Sequence, residues 1–424
     1  MQASHDRNPA NDVCELPGQK DECAPASWQG AAVLPRRGSA VRSSSRKLAA
    51  ARDAVGMMLA TAPDTDGLVR GKSTLSDQNQ VTPFHLTTDD GERIHAWHVL
   101  PLPVYLKHEE TLRLQPTGYC DDITTADSLR ILREDPNAQL VIFFHGNAGH
   151  IPATIRAPSF HSLTDTSSFH LLAIDYRGFG QSSGQPSEEG LIRDASAAVD
   201  FVLETAGVAP DRVILLGHSL GTAVAVAVAE RYAVLRAVDF AGLVLVSGFS
   251  SLPTMLSHYA VAGCVPILGP LRSWPRVLQW ILGFVVEPWS SVERLGSLVN
   301  TVRTTKGRHL RVGLIHAADD WDIPSVEDDK LFLAAVKPLL GSGTNDSQLA
   351  AVKEARTVRL GGDAFVTEWR ESDVVIRQER FPHGGKLFWL CWKQERCADG
   401  PGHNNVMKYA PVVMEVMRIF NEEY

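Results

Sequence analysis

Short runs of branched and aromatic apolar residues recur along the chain, each closed by small or polar residues. Leu140-Val141-Ile142-Phe143-Phe144 is one, and Phe169 to Ile174, Arg212 to Leu216, Gly242 to Ser247 and Leu310 to His316 follow it. Runs of this kind predict strands buried on both faces. Asp373 to Arg380 supplies a final strand. Between the second and third runs, Glu188 to Thr205 carries apolar side chains at Leu191, Ile192, Ala195, Ala198, Val199 and Val202, the period of a helix. The Ala-rich stretch Thr222 to Arg231 predicts another. Strand and helix in regular succession predict an α/β fold, a doubly wound and mostly parallel sheet covered on both sides.

Outside this alternation the pattern changes. Phe84 to Thr87 and Ile94 to Leu100 flank Asp89-Asp90-Gly91 and predict a hairpin. Residues 105–137 hold no sustained period and read as a connecting excursion. After the sixth strand, residues 249–300 are too long and too apolar for a simple crossover. With Trp274, Trp280 and Trp289 they predict two or three short helices inserted as a cap. Ser325 to Leu340 reads as a helix, Gly341 to Asp346 as a polar loop followed by a mixed segment to Glu371, and the whole stretch from Lys337 to Asp373 as a surface excursion. From about Asn405, the apolar positions Val406, Met407, Val412, Val413, Val416, Met417 and Phe420 predict a closing helix with one buried face. Residues 1–80 have few large apolar side chains and are expected to be a disordered tail, leaving 81–424 as the folded domain. The arginine-rich stretch Pro35 to Asp53 reads as a solvated linker or as a weak contact with anionic lipid.

Composition narrows the function. With a net charge of −8 over 424 residues, nothing suggests a nucleic-acid partner. The cysteines at 14, 23, 120, 264, 391 and 397 fall in no metal-ligand spacing and are too sparse for a disulfide framework, which favours a reducing compartment. Residues 1–25 are acidic and lack an apolar block, so no secretory or transit signal is expected. The most apolar candidate for a membrane span, Val277 to Val286, is too short. An intracellular protein, cytoplasmic or peripheral to a membrane, is the expectation.

The candidate chemistry centres on Gly217-His218-Ser219-Leu220-Gly221, between a predicted strand and a predicted helix. A chain that passes from strand to helix within five residues has room only for glycine at the crowded positions, and it carries the central serine at its apex. There the hydroxyl projects from the carboxyl edge of the sheet, over the positive end of the following helix. Serine needs a histidine and an acid to become a nucleophile, and both must come from loops at the same edge. The acids available are Asp319, Asp320 and Asp322, just past His316, and the histidines are His383 and His403. The residues alone leave both choices open.

Four further stretches accompany the elbow: His-Gly-Asn-Ala-Gly at 145–149, Asp-Tyr-Arg-Gly-Phe-Gly-Gln-Ser at 175–182, His-Ala-Ala-Asp-Asp at 316–320 with Ile323-Pro324, and Gly-His-Asn at 402–404. In this order, across most of residues 81–424, the set resembles the α/β-hydrolase superfamily of serine hydrolases. Within it, the likeness is to the abhydrolase-domain branch of lysophospholipase-like and monoacylglycerol-lipase-like enzymes. The resemblance implies a triad of Ser219, His403 and Asp320, with Asp319 and Asp322 as supporting loop residues. It also implies an oxyanion hole formed by the amides of Asn147 and Leu220, framed by His145, Gly146, Gly217, His218 and Gly221. Two fixed amides stabilise a developing oxyanion without reorganising, and one such donor is worth about 3 kcal/mol of barrier.

The implied reaction is hydrolysis of a carboxylic ester through an acyl-enzyme, with no cofactor and no metal. An acyl lipid is the expected substrate, a lysophospholipid or a monoacylglycerol, with membrane contact through the cap. A depalmitoylating thioesterase or a peptidase of the same fold is the nearer alternative. A non-catalytic binding protein on this scaffold is the more distant one. The chain departs from the family over residues 386–402, which separate the last strand from His403. This stretch has the coding length of a short intron and begins at a Gly-Lys junction that can encode a splice donor. It reads either as retained intron or as a genuine flap, and sequencing the mature transcript separates the two.

Overall fold

The strands, in chain order, are β1 (Val81–Thr87), β2 (Arg93–Val99), β3 (Gln139–Phe144), β4 (Phe169–Ile174), β5 (Val213–His218) and β6 (Gly242–Val246), then the short pair β7 (Ala260–Val261) and β8 (Val265–Pro266), and finally β9 (Leu310–Ala317), β10 (Thr357–Gly361), β11 (Ala364–Glu371) and β12 (Val374–Phe381). Ten of them form one sheet in the order β1-β2-β4-β3-β5-β6-β9-β12-β11-β10. The computed structural model describes residues 79–152, 156–258, 260–261, 265–266, 273–283, 285–320, 322–341, 343–382 and 402–421. The expected tail lies outside them through residue 78, as do His383 and residues 386–401 of the doubtful segment.

The six central strands, β4 to β12, run parallel, so the chain leaves each of them at the same edge. All six residues of β5 are buried, as the uninterrupted apolar runs require. Alternate side chains pass to opposite faces. Ile142, Phe144, Leu215 and Leu245 join one core, with Leu191, Val224, Leu298 and Leu331 from the helices Glu188–Asp200, Leu220–Leu235, Ser291–Thr304 and Val326–Val336. Val141, Phe143, Leu216 and Val246 join the other, with Phe160, Val412 and Val416 from Ala157–Thr164 and Ala410–Phe420. The doubly wound sheet is therefore present.

Two predicted excursions are structured instead. Residues 105–137 contain parts or all of the helices Leu102–Lys107, Glu109–Leu114 and Asp127–Glu134. The last buries Leu129, Ile131 and Leu132, too short a repeat to stand out as a period. Past Leu340, a helix begins at Asp346 behind an Asn345–Gln348 capping box, and β10 and β11 then extend the sheet antiparallel from β12. These strands carry no unbroken apolar run because β10 is mostly exposed and β11 buries only alternate residues, among them Phe365, Thr367 and Trp369.

The segment after β6 contains Leu252–His258 and Pro275–Leu282. Trp274 and Trp280 are 66% and 68% exposed, whereas Trp289 is buried. Ser291–Thr304, read with the cap, packs against Leu220–Leu235 and Val326–Val336 in the layer covering the sheet. Among the described residues no helix is long and apolar enough to cross a membrane.

Candidate active site

β5 ends in the elbow. Ser219 has φ 55 and ψ −120, a conformation that costs a non-glycine residue on the order of 1–3 kcal/mol. Its amide donates to Val246 O at 3.0 Å, which ties the apex to the neighbouring strand. A Cβ on Gly217 would lie 2.3 Å from Gly221 O, and one on Gly221 would lie 1.9 Å from Phe144 O. Both glycines are therefore steric necessities. Leu220 opens a 16-residue helix whose axis begins at the serine.

The acid comes from the loop after β9, and the base from the short helix Gly402–Asn405 before the closing helix. Asp320 is buried, and its Oδ1 accepts the amides of Asp322 at 3.1 Å and Ile323 at 2.9 Å. Its Oδ2 lies 2.8 Å from His403 Nδ1. With that nitrogen donating to the carboxylate, Nε2 is left as the basic atom. Burial alone would raise the carboxyl pKa of Asp320, but the His403 charge and the bonds from His316 and His403 outweigh it and hold it well below the ordinary range. For His403, burial disfavours the cation; the charge and hydrogen bond of Asp320, helped by Asp322, prevail and raise its pKa above 6.5.

His218 joins this pair to the elbow. Its Nε2 donates to His403 O at 2.9 Å, and the two rings lie 5.0 Å apart. Burial, with the neighbouring His403, lowers its pKa to about 3, so it acts as a neutral donor. Among the described residues the Ser219 hydroxyl makes no hydrogen bond to His403. Such bonds are commonly long in unliganded sites and tighten with substrate. Asp320 and His403 are thus in direct contact, while Ser219 is linked to them through the residue before it.

On the other side of the serine, the loop after β3 comes close. A Cβ on Gly146 would lie 3.0 Å from Ser219 Cβ. His145 is buried, donates from Nδ1 to Gly146 O at 2.7 Å, and receives Tyr176 Oη on its own carbonyl at 3.0 Å. Asn147, next along, is exposed, while Leu220 is buried.

His316 enters the sequence pattern only as the residue that opens the His-Ala-Ala-Asp-Asp stretch. It is fully buried near the end of β9, with Nε2 2.9 Å from Ile323 O and 3.3 Å from Asp320 Oδ2, and Nδ1 3.8 Å from Asp328 Oδ1. Burial opposes its charge, but the two carboxylates outweigh that and push its pKa up to about 10. Asp320 therefore sits between two imidazoles. Among the described residues, no group of three His, Cys, Asp or Glu could hold a metal ion.

A strained serine at a strand-to-helix turn, with a buried Asp–His pair at the same sheet edge, defines the class as that of the serine hydrolases. The chain belongs to the α/β-hydrolase superfamily. A family profile described as "Serine aminopeptidase, S33" matches residues 135–340. The uncharacterized protein YfhR of Salmonella typhi is 31% identical over 258 residues, covering 59% of this chain and 68% of the relative. Human protein ABHD12B is 35% identical over 142 residues, 34% of each chain. The lysophosphatidylserine lipase ABHD12 of Rattus norvegicus is 31% identical over 153 residues, 36% of this chain and 34% of the relative. This chain thus spans only about a third of those two mammalian relatives' length.

Proposed function

We propose that the protein hydrolyses carboxylic esters of acyl lipids, a lysophospholipid or a monoacylglycerol, by a Ser219–His403–Asp320 triad. The observation that carries this reading is the 2.8 Å contact between His403 Nδ1 and Asp320 Oδ2, made beside a serine held in a strained elbow. His403 Nε2 takes the Ser219 proton as Oγ attacks the ester carbonyl, and Asp320 stabilises the imidazolium that forms. The amides of Asn147 and Leu220 receive the oxyanion. Collapse expels the alcohol, which takes the proton from His403. Water activated by the same histidine then releases the fatty acid.

The relative named as a lysophosphatidylserine lipase and the exposed Trp274 and Trp280 of the cap favour a lipid substrate. The family profile's aminopeptidase description keeps an amide substrate in view. A panel of monoacylglycerol, lysophosphatidylserine, acyl-thioester and aminoacyl-amide substrates tests the reading on wild type and Ser219→Ala. The expected result is Ser219-dependent turnover of the two lipids at a higher kcat/KM than of thioester or amide. Preferential amide cleavage would replace the lipid reading with a peptidase.

A further inference from the structure

Arg156 precedes the helix Ala157–Thr164 and is only 5% exposed. It forms no ion pair among the described residues; its guanidinium is met by backbone carbonyls. Nη1 donates to His150 O at 2.8 Å, and Nη2 donates to Gly146 O at 3.0 Å and also to Ala148 O. All three acceptors lie in the loop that follows β3. Burying a guanidinium is costly unless its donors are engaged; these bonds and the charge of Asp175 offset part of that cost, while Nε is buried without a hydrogen bond among the described residues.

The Gly146 carbonyl is the informative acceptor. In a trans peptide, C=O and the next residue's N–H lie in one plane and point to opposite sides. Holding Gly146 O toward Arg156 therefore turns the Asn147 amide the other way. Gly146 itself lies against Ser219. The same oxygen also receives His145 Nδ1 at 2.7 Å, so two side chains fix one peptide plane. The ends of the loop have hydrogen bonds of their own, one of them to Asp175, which also feels the charge of Arg156. Tyr176 Oη donates to His145 O at 3.0 Å, and Ile151 N donates to Asp175 Oδ1 at 2.6 Å.

We infer that Arg156 is a positioning residue for oxyanion stabilisation: by gripping the carbonyls of Gly146, Ala148 and His150 it aims the Asn147 amide at the substrate carbonyl. The inference rests on the reading of Ser219 as nucleophile and of Asn147 as oxyanion donor. Because the loop ends have hydrogen bonds of their own, losing the guanidinium should free the peptide to rotate without releasing the loop. Its effect should fall on the transition state and leave ground-state binding alone.

The test uses the full chain, p-nitrophenyl butyrate as substrate and an alkylboronic acid that forms a tetrahedral adduct with a reactive serine. In Arg156→Met, kcat should fall about 100-fold, within the range known for loss of one oxyanion donor. KM should stay within twofold, and boronic-acid affinity should weaken in parallel with kcat/KM. Arg156→Lys keeps the charge but reaches fewer carbonyls, and should lose about tenfold in kcat. A folded Arg156→Met enzyme with kcat near wild type, or with the loss confined to KM, overturns the inference. If the Met variant does not fold, the Lys variant decides: unchanged kcat and boronic-acid affinity overturn it, as does failure of both variants to fold. Ser219→Ala is assayed alongside. If it remains active, the nucleophile reading itself fails; if it is inactive while Arg156→Met is fully active, only the role of Arg156 fails.

Discussion

The elbow and the cap lie one strand apart in the chain and are built on opposite terms. At the elbow, β5 is buried along its whole length, two glycines have no room for a methyl group, and Ser219 is held in a conformation that serine does not choose. In the cap, Trp274 and Trp280 expose about two-thirds of their surface, and Val277 and Val286 are exposed with them. The Ser219 turn is thus fixed by the close approach of the sheet backbone, whereas the described residues of the segment after β6 present exposed apolar side chains. Substitutions in the two regions should separate accordingly: those at the sheet edge should change turnover or folding, and those in the cap should change which substrate is preferred.

Asp320→Asn should have the largest effect on the sheet side, a fall in kcat of about 10⁴-fold, because the amide no longer holds the reactive tautomer of His403 or stabilises its cation. The pH profile sharpens this prediction. His403 must be neutral to act as a base and its pKa is raised, so kcat/KM of the wild type should climb through an apparent pKa above 6.5. In Asp320→Asn the larger raising charge is gone while burial and the weaker pull of Asp322 remain, so the residual activity should titrate at lower pH than in the wild type.

Gly221→Ala comes next and should act on folding. Its Cβ would meet the backbone at Phe144 O, not a flexible side chain, so a loss of about 3 kcal/mol or more is expected as a lower denaturant midpoint.

His316→Gln should have a smaller effect. The raised pKa of His316 means that its contribution to stability is complete below pH 6.5 and is lost as pH rises through about 10. The depressed pKa of Asp320 gives a contribution present above the ordinary carboxyl range, at roughly pH 4, and lost as pH falls. The melting temperature should therefore decline from pH 6.5 toward pH 10, and His316→Gln should flatten that decline. Trp280→Ser should be mildest: kcat on a short soluble ester within about twofold, with a reduced preference for long acyl chains. A large loss on the short ester would erase the distinction between the regions.

What the sequence reveals follows the same division. Strands buried on both faces announce themselves as unbroken apolar runs, and the elbow glycines are dictated by close backbone approach, so the sheet and Ser219 were legible. Asp320 and His403 stand out from the other candidates only by resemblance, because they lie 83 positions apart and nothing local signals that they meet. The half-exposed β10 and β11 gave no such runs. His316 and Arg156 were illegible for another reason. Each derives its meaning from what surrounds it in space, two carboxylates for one and three carbonyls for the other, and neither environment is written near it in sequence.

The most direct test of the catalytic claim is mass-spectrometric mapping of a fluorophosphonate adduct, with lysophosphatidylserine and monoacylglycerol hydrolysis measured on the same preparations. The account predicts a single adduct on Ser219, and loss of both labelling and hydrolysis in folded Ser219→Ala. Hydrolysis that persists undiminished in that variant, or an adduct on another residue, would contradict it.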